Sequence, residues 1–165
     1  ELAARLQAGR ARAFAFEKLA GFDKTCADGM RDEARRRTPQ VRLTGSDRDR
    51  GVIEMAQANA TRAGVADICN FAPANAGDVT PPDGPAGLVI VNPPYGARIG
   101  DKKALYPVYG RLGEVLRTRF TGWRVGIVTS EGGLAKATGL PFLPDGPSIA
   151  HGGLRVRLYR TDVLT

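Results

Sequence analysis

Residues 88–95 constrain the chain most: four aliphatic residues, Leu88-Val89-Ile90-Val91, run without a break into Asn92-Pro93-Pro94-Tyr95. A short apolar run, mostly β-branched, reads as a buried parallel strand, and the proline pair and aromatic after it read as a rigid turn at its C-terminal end. Open α/β sheets place their chemistry there. Two prolines fix φ and remove two backbone donors, so the carbonyls before and within the pair are left as outward acceptors. Asn92 adds a side-chain carbonyl, and Tyr95 offers a flat face on which a planar base can stack, worth roughly 1–3 kcal/mol. Together they describe a clamp for an exocyclic NH2 on a planar ring. The plainer alternative is a strand-ending turn with Tyr95 packed on the sheet edge.

Asn92-Pro93-Pro94-Tyr95 resembles the catalytic motif of class I S-adenosylmethionine-dependent methyltransferases that act on planar amino or amide nitrogens. With Gly96-Ala97-Arg98 it resembles the Asn-Pro-Pro-Tyr-Gly-x-Arg form of the RNA guanine-N2 methyltransferases that carry an N-terminal THUMP domain. Within these, the bacterial large-subunit ribosomal RNA enzymes, also labelled N6-adenine-specific DNA methylases, are most similar. The resemblance runs from Gly9 to about Leu164. It implies S-adenosylmethionine as cofactor and RNA as partner, with ribosomal RNA ranked ahead of transfer RNA. It also implies that Asn92, Pro93, Pro94 and Tyr95 are catalytic, with Asn92 also beside the cofactor, and that Tyr95 and Arg98 contact substrate. For Arg98 a phosphate or guanine-edge contact and a structural ion pair both stand open.

A length of 165 residues suits one domain. Twenty-four Lys and Arg against 17 Asp and Glu leave a net charge of +7, which favours a polyanionic partner, or else is only a soluble basic surface. No apolar run approaches the ~18 residues of a membrane span, and no secretory signal opens the chain. Cys26 and Cys69 lie far apart without metal-ligand spacing, and the single His151 cannot complete a zinc site with them. Both read as reduced thiols of a cytoplasmic protein without a metal.

Taken in order, Leu2, Ala3, Leu6 and Gln7 have helical spacing with no cap before them, and a helix is expected over 14–37, its basic end at Arg35-Arg36-Arg37. That run is either a solvated helix end or an RNA contact. In the family, the stretch like 9–17 follows the first strand and its Gly-rich cofactor loop, so those pieces, and any THUMP domain, are expected to be missing from these residues. A strand over 41–47 ends in Asp47, which suits an acceptor for ribose hydroxyls, or a turn former; Asp49 suits a helix N-cap. Gly45-Ser46-Asp47-Arg48-Asp49 resembles the family's cofactor turn, with Arg48 where an apolar residue more often packs on adenine. The next helix is expected to bury positions 52, 55, 56 and 59 or 60, and to close at Gly64.

A strand over 67–71 precedes a Pro- and Gly-rich loop over 72–85, where the resemblance places an adenine-binding acid or amide; Asn75 matches by position and Asp78 is its rival, unless both are turn residues. A helix over 103–120 carries the stripe Leu105, Val108, Tyr109, Leu112, Val115, Leu116 and Phe120. A buried strand over 122–130, a short helix over 131–139 and an antiparallel hairpin of 140–143 with 154–159 complete the pattern, with His151 as a turn residue or, less favoured, a substrate contact. The alternation predicts an α/β, doubly wound, Rossmann-like class I methyltransferase sheet with a C-terminal antiparallel hairpin and its first strand missing, forming one truncated catalytic domain over 1–165. The expected activity is methyl transfer from S-adenosylmethionine to guanine N2 in RNA. DNA adenine-N6 methylation and a catalytically inactive RNA-binding fragment are the alternatives.

Overall fold

The computed structural model describes residues 1–9, 11–33, 37, 39–95, 102–144, 146–151 and 153–165. They form two compact units, Glu1–Ala74 and Asn75–Thr165.

In the first unit, strand β1 (Leu43–Asp47) pairs in parallel with β2 (Cys69–Pro73), in register from Leu43 opposite Cys69 to Asp47 opposite Pro73. Parallel neighbours need a crossover, supplied by helix α2 (Arg50–Arg62), while helix α1 (Lys24–Glu33) precedes β1. Asp49 caps α2 as expected, its Oδ1 accepting from the Gly51 and Val52 amides at 2.7 and 3.3 Å. Gly64, with φ +71°, follows the last turn. The buried face of α2 is rotated from the predicted stripe. Ile53 and Ala60 are buried, whereas Val52 and Met55 are 39% and 60% exposed. The cause is the small core behind the helix, where Ala4, Leu6, Ala60, Val65 and Ile68 meet and Phe71 packs against them. Gly45 makes room for that ring, since a Cβ there would lie 2.8 Å from Phe71 Cδ1.

The single helix expected over 14–37 is instead a 3-10 turn, Ala15–Lys18, followed by α1. The break has a local cause: Asp23 Oδ1 accepts from the Cys26 amide at 2.9 Å, so a capping residue starts a new helix where continuation was expected. Arg35 and Arg36 lie outside the described residues. The opening helix is likewise only a 3-10 turn, Leu2–Ala4, ended by Arg5 at φ 54°.

In the second unit, β3 (Leu88–Val91) pairs in parallel with β4 (Arg124–Thr129), and α3 (Leu105–Arg119) crosses between them. Leu105, Tyr109, Leu112, Val115, Leu116 and Phe120 are buried as the stripe predicts, while Val108 is 40% exposed. Helix α4 (Gly132–Ala137) packs on α3 so closely that a Cβ at Gly113 would sit 1.9 Å from the Thr138 carbonyl oxygen. The terminal hairpin keeps its expected second arm, β6 (Leu154–Arg160), but its first arm is β5 (Ile149–His151), and β6 lies antiparallel to β4. The expected first arm makes one bridge, Phe142 opposite Thr161, because Pro141 and Pro144 have no N–H for a ladder. His151 is therefore a strand residue opposite Leu154 and not in the turn.

The strands form two sheets, ordered β1-β2 and β3-β4-β6-β5. β3 is parallel, as predicted, but not buried: it is an edge strand among the described residues, with Leu88 and Ile90 56% and 57% exposed. Among the described residues no helix is long and apolar enough to cross a membrane.

Candidate active site

At the C-terminal ends of the parallel neighbours β3 and β4 stand the Asn92–Tyr95 segment and Thr129. Beyond Val91, the Asn92 side chain is exposed and takes no hydrogen bond from a described residue; Pro93 is buried, Pro94 exposed and Tyr95 half-buried. The turn is fastened from beneath. Tyr109, wholly buried on α3, directs its hydroxyl to the Pro94 carbonyl at 3.2 Å, and lies 3.3 Å from the Thr129 hydroxyl at the end of β4. Thr129 Oγ1 in turn accepts from the Glu131 amide at 3.1 Å. Burial pushes the Tyr109 phenol above its ordinary value; the Thr129 hydroxyl offsets part of the rise, and Tyr95 and Glu131 nearby add to it.

Of the other predicted site residues, Asn75 follows β2 in sequence and is exposed, its amide nitrogen donating to Asp78 Oδ2 at 3.1 Å, while the Asp78 amide donates to the Asn75 carbonyl at 2.9 Å. The two rivals are thus one turn, in which Asn75 orients the acid. In the first unit Asp47 ends β1 with an exposed carboxylate; its Oδ1 accepts from the Asp49 amide at 2.9 Å, and its carbonyl accepts from the Ala74 amide at 2.9 Å. Oδ2 takes no hydrogen bond from a described residue. Arg48, next to it, is exposed. Arg98 lies outside the described residues. Sequence reasoning placed Tyr109 in the core but missed its polar contact and that of Thr129. A tyrosine in an otherwise aliphatic stripe was the available signal, since a buried phenol needs a partner.

Parallel strands joined by crossover helices, with an Asn-Pro-Pro-Tyr turn at one carboxyl end and an exposed acid at another, define a class I methyltransferase domain. Residues 2–141 match the family described as RMKL-like, methyltransferase domain, and the chain belongs to that family. It is 39% identical over 136 residues to ribosomal RNA large subunit methyltransferase K/L of Chromohalobacter salexigens, covering 77% of this chain and 18% of that protein. To the protein of the same name from Legionella pneumophila strain Corby it is 45% identical over 102 residues, covering 61% and 14%. The chain thus spans less than a fifth of the length of these curated relatives. Among solved structures it is similar to SMU.472, a methyltransferase complexed with SAH, with TM-score 0.75 and 28% identity over 90% of this chain and 40% of that one. A possible methylase from Clostridium difficile 630 gives 0.77 and 26% over 92% and 40%.

Proposed function

We propose that this chain is catalytic machinery for transferring a methyl group from S-adenosylmethionine to the exocyclic N2 of guanine in RNA, ribosomal RNA ahead of transfer RNA, in a cytoplasmic setting. The observation that carries it is the Asn92–Tyr95 segment: an exposed Asn92 amide that no described residue hydrogen-bonds, beside a proline pair whose second carbonyl accepts from Tyr109 while the first accepts from no described residue. The names of the K/L relatives and the +7 charge support RNA.

An aromatic exocyclic amine is a poor nucleophile because its lone pair is conjugated into the ring. If Asn92 Oδ1 and the Pro93 carbonyl each accept one N–H, the lone pair turns out of conjugation, and the positive charge growing on nitrogen meets fixed dipoles. Tyr95 stacks on the base, turned out of its helix. The cofactor supplies an electrophilic methyl on a sulfonium. The exposed Asp47 carboxylate suits its ribose, and Arg48 and Asn75 suit its adenine. The proton lost from nitrogen goes to solvent.

The test offers the purified protein labelled S-adenosylmethionine with unmodified ribosomal RNA, transfer RNA or DNA and identifies products by nucleoside mass spectrometry. 2-Methylguanosine from RNA is expected. N6-methyladenine from DNA would replace the substrate assignment, and no methylated nucleoside would refute the activity.

A further inference from the structure

We propose that Tyr109 is a positioning residue for the Asn92–Tyr95 turn, fixing which main-chain carbonyl is available to the methyl-accepting amine. Its catalytic consequence rests on the function proposed above, but its structural content does not.

Pro94 is acylated nitrogen without a hydrogen on one side and a carbonyl on the other, so it can only accept. The Glu131 amide can only donate, and it donates to Thr129 Oγ1. Between these fixed ends stand two hydroxyls with one proton each, Tyr109 and Thr129, 3.3 Å apart. The arrangement in which all four groups satisfy one another has Glu131 N–H donating to Thr129, Thr129 O–H to Tyr109, and Tyr109 O–H to the Pro94 carbonyl 3.2 Å away. The chain of bonds has one direction and joins the C-terminal ends of β3 and β4 through α3. Its members are anchored: Tyr109 and Thr129 are both 0% exposed, so neither hydroxyl can turn to water instead. The Pro94 carbonyl is thereby occupied, while the Pro93 carbonyl takes no hydrogen bond from a described residue. Occupying the second carbonyl also sets the peptide plane between Pro94 and Tyr95, and with it the direction in which the Tyr95 ring leaves the turn. Both hydroxyl contacts are long for O–H···O bonds, which keeps the expected effect modest.

Tyr109→Phe keeps the ring and deletes the donor. The Pro94 carbonyl carbon is read directly through the Tyr95 amide in an HNCO spectrum. We expect that carbon to move upfield while the Val125 and Ile127 amides of β4 keep their shifts, and turnover to fall about tenfold at unchanged KM for cofactor. Thr129→Val, with Tyr109 intact, should move the same carbon less, and Thr129→Ser should restore it. A Pro94 carbon that stays in place in Tyr109→Phe overturns the proposal, as does a change spread evenly through β4. Should the protein methylate nothing, the function proposed above fails, and the Pro94 shift still decides whether Tyr109 holds the turn.

Discussion

An exposed amide such as Asn92, which takes no hydrogen bond from a described residue, offers its carbonyl to an incoming donor. Asn92→Ala should therefore fold normally and lower single-turnover methyl transfer by roughly 10²–10³, the scale of losing one preorganised electrostatic partner. Tyr109 makes a different kind of prediction, on pH. Its folded pKa lies above the ordinary 10.0, chiefly through burial, so unfolded chains ionise first. The stabilisation from a neutral, buried phenol is complete below pH 10 and is lost as pH rises past it. Urea midpoints should fall in that window and fall less in Tyr109→Phe. The Asn92–Tyr95 motif was legible in the sequence because four contiguous residues make it up. The role of Tyr109 was not, because helical periodicity says which way a side chain faces and nothing of what its hydroxyl meets 15 residues away in sequence.

At the scale of elements, local chemistry was readable wherever it was self-contained. β3 has its predicted bounds, and Asp49 caps α2, because an apolar run and an Asx cap each need only their neighbours. The first hairpin arm and the buried face of α2 depend on distant partners, and there the reading slipped. Gly113 shows such dependence. In a helix, glycine to alanine ordinarily gains about 1 kcal/mol, but here the added Cβ meets the Thr138 carbonyl at 1.9 Å. Gly113→Ala should thus be destabilising, by about 1–3 kcal/mol, measured as a lower urea midpoint. The first unit offers an acid test. The hydrogen bond from Arg31, 2.5 Å away, holds the Glu17 carboxyl below its ordinary 4.5. What that pair contributes is present above pH 4.5 and lost as pH falls through the lower folded value. Titrating the Glu17 carboxyl carbon by NMR should show the depression, and Arg31→Gln should relieve the part of it due to Arg31, the Phe14 amide still donating to the carboxylate.

For the molecule as a whole, the two units do not have equal cores. The first rests on Ala4, Leu6, Ala60, Val65 and Ile68, whereas the second buries Tyr109, Phe120 and nine aliphatic side chains in one cluster. Buried apolar area scales with side-chain size, so β2 amides should exchange with solvent before those of β4, seen by native-state hydrogen exchange. The edge of β3 has a further consequence, during recovery from denaturant. Four aliphatic residues whose backbone edge is unpaired among the described residues are a template that any other chain can extend, and pairing between chains is second order in concentration while folding is first order. Recovered monomer should decline as the refolding concentration rises, and Leu88→Lys should lift that ceiling, read by light scattering. The strand that leads into the Asn92 turn is therefore also the one that sets how crowded a refolding solution can be.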